Sequence, residues 1–347
     1  MKLLLIGDLH HGEQGNSEKY NNQLLDFYEW CIETFGSTTD KVVQFGDYFH
    51  NRDSINVLTL NYGIAGAKML GGHWGIDSSY VLGGNHDIYY SDRLDVSSLA
   101  SIEPYMTVID EFATICNGEI LLAPWIATPE MWDQMIGIEG PSICFGHFEL
   151  NGFKMNDAYV MESGYSAATL ESKFELTLSG HYHSKQEKGS VKFIGTPLPI
   201  TMNEANEEHG VYTYDTETKE LVFHVYDKVK VLSIPYRELV DIIDTLDPEN
   251  TTVRVEFPDD LEDETLLSTA TDLLTEMKFS NSKIKYKGQK AKQLLAADVG
   301  NVVDVEDIDA VVLEFITGSM TVSGVDNDLM ESLYRRAIKV GKENMSV

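Results

Sequence analysis

The sequence predicts an α/β fold in which two sheets pack face to face with helices on their outer sides, and three observations predict it. Strand and helix signals alternate from Leu3 to Leu82, a βαβαβ rhythm that implies a largely parallel sheet with covering helices. After Met106 the rhythm changes to closely spaced strand signals, enough for a second sheet. Several apolar runs end the same way, in a Gly followed by Asp, Asn or His. Polar residues at the carboxyl ends of strands in such a sheet converge on one crevice.

Each element has its own signal. Leu3–Ile6 is a short apolar strand. Around Tyr20–Phe35, Leu24, Phe27, Tyr28, Cys31 and Ile32 recur at helical spacing on one face. Strand Lys41–Phe45, a helix around Val57–Leu70 and strand Ser79–Leu82 follow. Thr114–Leu122 reads as a hairpin turning at Asn117-Gly118. A helix near Pro129–Met135 and strand Ser142–Phe145 come next, then strands at Glu175–Leu178, Val191–Ile194, Gly210–Asp215 and Leu221–Val225. The ligand-like residues stop near Asp227, so the chain divides into a domain over 1–226, a smaller α/β segment over 227–298 and a helical segment over 299–347. The middle segment carries helix Arg237–Thr245, strand Thr251–Phe257, helix Leu261–Lys278 and strand Lys283–Tyr286. The last carries helix signals at Ile308–Ile316 and Leu329–Val340.

Composition bounds the function. At 347 residues the chain exceeds one ordinary core. No apolar run approaches the roughly 18 residues of a membrane span, and the start, Met1–Ile6, runs straight into Asp8 and His10 and reads as a strand rather than a leader. Cys31, Cys116 and Cys144 are scattered in apolar contexts, which suits buried thiols in a reducing compartment such as the bacterial cytosol. The net charge of −30 opposes unaided gripping of nucleic acid and suits either a cation-binding protein, a subunit with a positive partner, or plain solubility. One island departs from it. Between Glu276 and Asp298 there is no acidic residue, while Lys278, Lys283, Lys285, Lys287, Lys290 and Lys292 are all present. That stretch is either a solvated face or a contact for DNA or a partner.

The chemistry concentrates at the strand ends. Asp8, His10, Asp47, Asn85, His147, His181 and His183 offer carboxylate, amide and imidazole ligands, and with the adjacent His86 these strand ends hold five of the ten His in the chain. This number of mixed nitrogen and oxygen donors suits two divalent ions sharing an Asp, with Mn, Fe or Zn favoured over Ca or Mg. Two ions roughly 3.5–4 Å apart clamp a phosphate and generate a hydroxide nucleophile at neutral pH. His86, beside Asn85, is placed to protonate a departing alkoxide, and Asp87 to orient that imidazole or raise its pKa. Around the site, Trp125 is either a rim residue or a packing residue. Glu149, after His147, either orients a ligand or is a surface carboxylate, and Tyr89 and Tyr90 either stack on a base or are exposed loop residues.

The set Asp8-x-His10, Gly46-Asp47, Gly83-Gly84-Asn85-His86-Asp87, Gly146-His147 and Gly180-His181-x-His183 resembles that of the calcineurin-like metallophosphoesterases. With Ala123-Pro124-Trp125, Gly146–Gly152 and Ile194-Gly195-Thr196-Pro197, the chain is similar to the SbcD-type nuclease subunits of double-strand-break repair complexes, closest to the phage form, the recombination endonuclease subunit. The resemblance covers Met1 to about Tyr226; beyond that it rests on length and domain order.

It implies the family's four-layer α/β/β/α sandwich with a smaller α/β cap. Asp8, His10 and His183 would hold one ion, Asn85, His147 and His181 the other, and Asp47 would bridge. His86 matches the catalytic histidine, and His50 a second active-site histidine near DNA unless it is an ordinary loop residue; Arg52 follows it. The implied activity is Mn²⁺-dependent exonuclease and endonuclease action on DNA, with Mg²⁺ as the alternative ion, in recombination, repair and replication. The cap, including Lys283, Lys285 and Lys287, would contact DNA. The C-terminal helices would dock on the coiled coil of an SMC-like ATPase, in a complex holding two copies of this chain. The chain has no Gly-x-x-x-x-Gly-Lys-Ser/Thr loop, so the ATPase belongs to a partner. Rival readings are a phosphatase or small-molecule phosphodiesterase of the same superfamily, and a structural subunit with a vestigial site.

Overall fold

A computed structural model of the chain describes residues 1–156, 159–257, 272–279 and 283–286. The strands are β1 (Lys2–Ile6), β2 (Lys41–Gln44), β3 (Ser79–Leu82), β4 (Thr107–Ile109), β5 (Ala113–Ile115), β6 (Ile120–Ala123), β7 (Ile143–His147), β8 (Lys154–Asn156), β9 (Tyr159–Val160), β10 (Leu176–Gly180), β11 (Gln186–Lys188), β12 (Val191–Phe193), β13 (Gly210–Asp215), β14 (Leu221–Val225), β15 (Lys230–Pro235), β16 (Thr251–Phe257) and β17 (Lys283–Tyr286). Among the described residues they form two six-stranded sheets, ordered β14-β13-β1-β2-β3-β4 and β11-β12-β10-β7-β6-β5, with a three-stranded sheet β15-β16-β17 and the pair β8-β9. The centres of both large sheets are parallel: β1 to β4 in one, and β6, β7, β10 and β12 in the other.

The side-chain alternation of the strands decides the layering. Leu4, Ile6 and Val42 face outward and pack with Leu24, Phe27 and Tyr28 of helix Glu18–Phe35 and with Ala67 and Leu70 of helix Val57–Trp74. Their neighbours Leu3, Leu5 and Val43 face the other way and meet Ile120, Leu122, Ile143, Phe145 and Leu178 of the second sheet. On that sheet's far side, Leu121, Ala123 and Cys144 pack with Trp132 and Met135 of helix Pro129–Gly137 and Leu170 of helix Ala167–Lys173. Period two in the strands therefore puts one core between the sheets and one under each helix pair, giving the four-layer α/β/β/α sandwich. The helices begin where capping chemistry allows: Ser17 accepts from the Tyr20 N–H at 3.2 Å, Asn56 from the Leu58 N–H at 2.9 Å, and Thr128 precedes Pro129 in the first turn.

The expected hairpin at Thr114–Leu122 forms, but its connection is the four residues Cys116–Glu119, with Cys116, Asn117 and Gly118 all at positive φ, rather than a two-residue turn. The short strands β4, β8, β9 and β11 and the helix Ala167–Lys173 carry too few residues to show a period and are new relative to the sequence expectation.

The chain divides into two compact units. The first holds Met1–Ser233 and Asp247–Thr252; the second holds Ile234–Leu246 and the residues from Val253 onward. In the second, helix Tyr236–Ile242 and strand β16 contribute the buried Leu239, Val253, Val255 and Phe257, and β17 runs parallel to β16. Most of the expected helix Leu261–Lys278, the helices at Ile308–Ile316 and Leu329–Val340, and Lys287, Lys290 and Lys292 lie outside the described residues.

Candidate metal centre

Both sheets deliver their ligand residues from strand carboxyl ends. Asp8 and His10 follow β1, Asp47 and His50 follow β2, Asn85 and His86 follow β3, His147 ends β7, and His181 and His183 follow β10. The loops are tied together before any ligand binds: the Leu9 and His10 N–H groups donate to the Asp47 carbonyl at 3.2 and 2.9 Å. His10, Asp47 and His181 sit at φ of 48°, 50° and 90°, a left-handed conformation that L residues rarely adopt and that clusters at functional sites. Gly84 and Gly180 are required by close approach. A Cβ on Gly84 would fall on the Asp47 backbone and carboxylate, and one on Gly180 would lie 2.6 Å from the Phe45 carbonyl oxygen and against Asp8 Oδ1.

The side chains form three donor groups, one of them His10, His50 and His86 and the other two adjoining at Asp47. Donor atoms of Asp8, His10 and His183 lie within 4.8 Å of one another, as do those of Asp47, His147 and His181. Nε2 of His10 faces Nε2 of His183 at 3.1 Å. Asn85 Oδ1 is 3.0 Å from both His147 Nε2 and His181 Nδ1. Asp47 stands between the groups, with Oδ2 3.7 Å from His10 Nε2 and Oδ1 3.5 Å from His147 Nε2.

The donor chemistry fits cations. His147 Nδ1–H donates to the Phe45 carbonyl at 2.7 Å, which turns its Nε2 toward the Asn85 oxygen and the Asp47 carboxylate. Asp8 Oδ2 accepts the His181 N–H at 2.8 Å, while Asp8 Oδ1 is buried without a hydrogen-bond partner. A buried, unpaired carboxylate oxygen among amide and imidazole donor atoms is what a divalent ion satisfies. Burial pushes the Asp8 carboxyl up to about 7, and neighbouring Asp47 adds to it. For Asp47, burial acts upward but is outweighed by His147, His86 and His10, which hold the carboxyl well below its usual range. Burial drives His10 well below its ordinary value and His181 to about 3. Burial also acts downward on His147, but Asp47 and Asp8 outweigh it and bring that imidazole to about 9.

A second tier surrounds these residues. The His86 N–H donates to Asp47 Oδ1 at 2.8 Å, and its Nδ1–H donates to the His50 carbonyl at 2.5 Å, which leaves Nε2 for proton transfer. The His86 ring stands 5.0 Å from that of His10 and is stacked on that of His50 at 5.5 Å. Arg52 donates to the Asn85 carbonyl at 2.9 Å. Trp125 is half-buried with its ring 5.2 Å from the His181 ring, and Glu149 Oε2 is 4.0 Å from His181 Nε2. Tyr89 and Tyr90 are exposed side by side, with the Arg93 guanidinium 3.9 Å over the Tyr90 ring. Lys283 and Lys285 belong to β17 of the second unit.

Asp87 requires a correction. Its carboxylate accepts the backbone N–H groups of Gly84 (3.0 Å), Tyr48 (3.2 Å) and Phe49 (3.0 Å), and does not orient the His86 ring, whose Nδ1 is already taken by the His50 carbonyl. Asp87 shapes the loops instead. Two carboxylates escaped the sequence reading. Glu13 Oε2 lies 2.5 Å from His50 Nδ1, and buried Glu204 lies 3.4 Å from His183 Nδ1. Glu13 left no pattern. Thr201-x-x-Glu204 is a capping-box spacing, and the structure forms that box.

The family model described as "Calcineurin-like phosphoesterase" matches residues 1–185. The chain is 30% identical over 237 residues to "Exonuclease subunit 1" of Enterobacteria phage T4, covering 64% of this chain and 67% of that protein. A solved structure described as a novel archaeal phosphodiesterase is 12% identical and covers 65% of this chain and 100% of its own, with a TM-score of 0.35. Among the described residues no helix is long and apolar enough to cross a membrane. The donor groups at the strand ends, the four-layer sandwich and the match over residues 1–185 place this chain in the calcineurin-like phosphoesterase family.

Proposed function

We propose that the chain is the nuclease subunit of a DNA recombination and repair complex, hydrolysing DNA phosphodiesters with two divalent ions, Mn²⁺ before Mg²⁺. The observation that carries the reading is the placement of Asp47 between two donor groups, with its Oδ1 also accepting the His86 N–H. The similarity to a phage exonuclease subunit supports DNA as the substrate.

On this reading Asp8, His10 and His183 would hold one ion and Asn85, His147 and His181 the other, with Asp47 available to each. When bound, the ions lower the pKa of a water and neutralise phosphoryl charge. The protein's own groups do the rest. His86, fixed by its Nδ1–H bond to the His50 carbonyl, offers Nε2 to the leaving oxygen as general acid. His50, held by Glu13, and Arg52 present N–H donors to the strand. Tyr89 offers a ring for an unpaired base. Residues 227–298, with Lys283, Lys285 and Lys287, serve as a DNA-contacting cap, and residues 299–347 dock an SMC-like ATPase in a complex holding two copies of the chain.

The test is cleavage of an end-labelled duplex in Mn²⁺ and in Mg²⁺, beside an aryl phosphodiester and an aryl phosphomonoester. DNA cleavage in Mn²⁺ that is lost on changing His86 is expected. Monoester hydrolysis with intact DNA would overturn the substrate and keep the chemistry. Removing residues after Asp304 is expected to abolish co-purification with the ATPase; unchanged co-purification refutes docking there.

A further inference from the structure

Glu204 lies on the segment that carries the chain from β12 in the second sheet to β13 in the first, and it is 3% exposed. A buried carboxylate persists only where donors satisfy it. Its Oε2 accepts the Ile200 N–H at 2.9 Å, and its Oε1 accepts the Thr201 N–H at 3.1 Å and the Thr201 hydroxyl at 3.0 Å. These bonds curl the crossover segment around the carboxylate. The same segment grips His183 twice: the Thr196 N–H donates to the His183 carbonyl at 2.9 Å, and Glu204 Oε1 lies 3.4 Å from His183 Nδ1. Behind the carboxylate stands His209, its Nε2 4.0 Å from Glu204 Oε2 and its Nδ1 3.1 Å from both the hydroxyl and the carbonyl of Thr196.

An imidazole whose Nδ1 faces a carboxylate keeps its proton there and presents a lone pair at Nε2. Nε2 is the atom of His183 that faces His10 Nε2 at 3.1 Å. We infer that Glu204 is a positioning residue that fixes the tautomer and rotamer of His183 for a divalent ion held with Asp8 and His10. The crossover between the sheets is thereby latched to one of the two donor groups and not to the other, since His147 is oriented separately by the Phe45 carbonyl. The inference rests on the metal reading alone, not on DNA as substrate.

Calorimetric titration of the full chain with Mn²⁺ tests it. The unmodified protein is expected to bind two equivalents. In Glu204→Gln one equivalent should keep its affinity and the other weaken about 10–100-fold, the usual effect of losing such a partner, with Glu204→Asp recovering part of it. Two equivalents of unchanged affinity would overturn the inference. So would an equal loss at both sites together with a lowered unfolding temperature of the metal-free variant, which marks a scaffold role. If Glu204→Gln does not fold, nitrogen NMR of the His183 ring in the unmodified metal-free protein decides: a proton on Nδ1 supports the inference and a proton on Nε2 refutes it. A protein that binds two Mn²⁺ and leaves DNA intact would remove the nuclease reading and leave this one standing.

Discussion

On the proposed reading, replacing His86 by Asn removes the general acid and leaves the groups Asp8–His10–His183 and Asp47–His147–His181 intact. General acid catalysis is worth about 10²–10⁴-fold, so single-turnover DNA cleavage by His86→Asn should fall by that factor while calorimetry still finds two Mn²⁺. Loss of metal along with turnover would show that His86 is a ligand or a structural element. Its chain neighbour Asp87 cannot be read the same way, because its carboxylate is spent on three backbone N–H groups of the surrounding loops. His11, next to a ligand, is buried between Asn21 and Tyr28, with Nδ1 3.0 Å from Asn21 Oδ1 and Nε2 2.8 Å from the Tyr28 hydroxyl. Burial brings it down to about 4 from 6.5. The unfolded chain therefore binds a proton that the folded chain refuses. This contribution to stability is complete above pH 6.5, shrinks as pH falls, and is gone near pH 4, about 3 kcal/mol in all. Urea unfolding of His11→Gln should show a shallower loss of stability between pH 7 and 4 than the unmodified chain; parallel curves would refute the assignment.

At the scale of elements, what was legible is what repeats. The strands β1, β2, β3, β7 and β10 each end in a Gly and a ligand, and their apolar alternation feeds separate cores, so strand, layer and site could be read from one pattern. That Asp8, His10, Asp47, His147, His181 and His183 would meet was legible for the same reason. Glu13 and Glu204 were not, because each meets its histidine through a loop whose path no periodicity encodes. Asp87 was assigned to the side chain next to it, whereas its partners Tyr48 and Phe49 come from the loop after β2. The Gly residues give a test of how tightly the elements meet. In Gly180→Ala the new methyl would press on the Phe45 carbonyl, a backbone atom, and on the Asp8 carboxylate. A loss of about 1–3 kcal/mol and weaker Mn²⁺ binding are expected. Gly72→Ala, in helix Val57–Trp74 with nothing within 4 Å of the added Cβ, should instead gain about 0.5–1 kcal/mol and leave metal binding alone. Equal effects of the two changes in chemical denaturation would contradict the packing described for the strand end.

For the whole molecule, the net charge of −30 is spread over the sequence, yet two of the carboxylates, Asp8 and Asp47, are buried together. Divalent ions bound among them and the imidazoles would act on the folded state only, because the donors come from five strand ends far apart in sequence. At one hundred times its Kd each ion stabilises by about 2.7 kcal/mol, and in a domain of this size 1 kcal/mol moves the unfolding temperature by about 2–4 °C. Chelation should therefore lower the melting temperature by several degrees per vacated site, and Mn²⁺ should restore it. An acidic surface makes a competing explanation available, since any cation relieves self-repulsion. The two differ in form. Screening follows ionic strength, is shared by NaCl and Ca²⁺, and does not saturate. Site binding saturates at two equivalents, survives high NaCl, and moves only the unfolding step of the unit containing Asp47. Calorimetric scans with chelator, Mn²⁺ and matched NaCl separate them, and Asp47→Asn decides the case: if that variant is stabilised by Mn²⁺ as much as the unmodified chain, the stabilisation belongs to the surface charge and not to the centre.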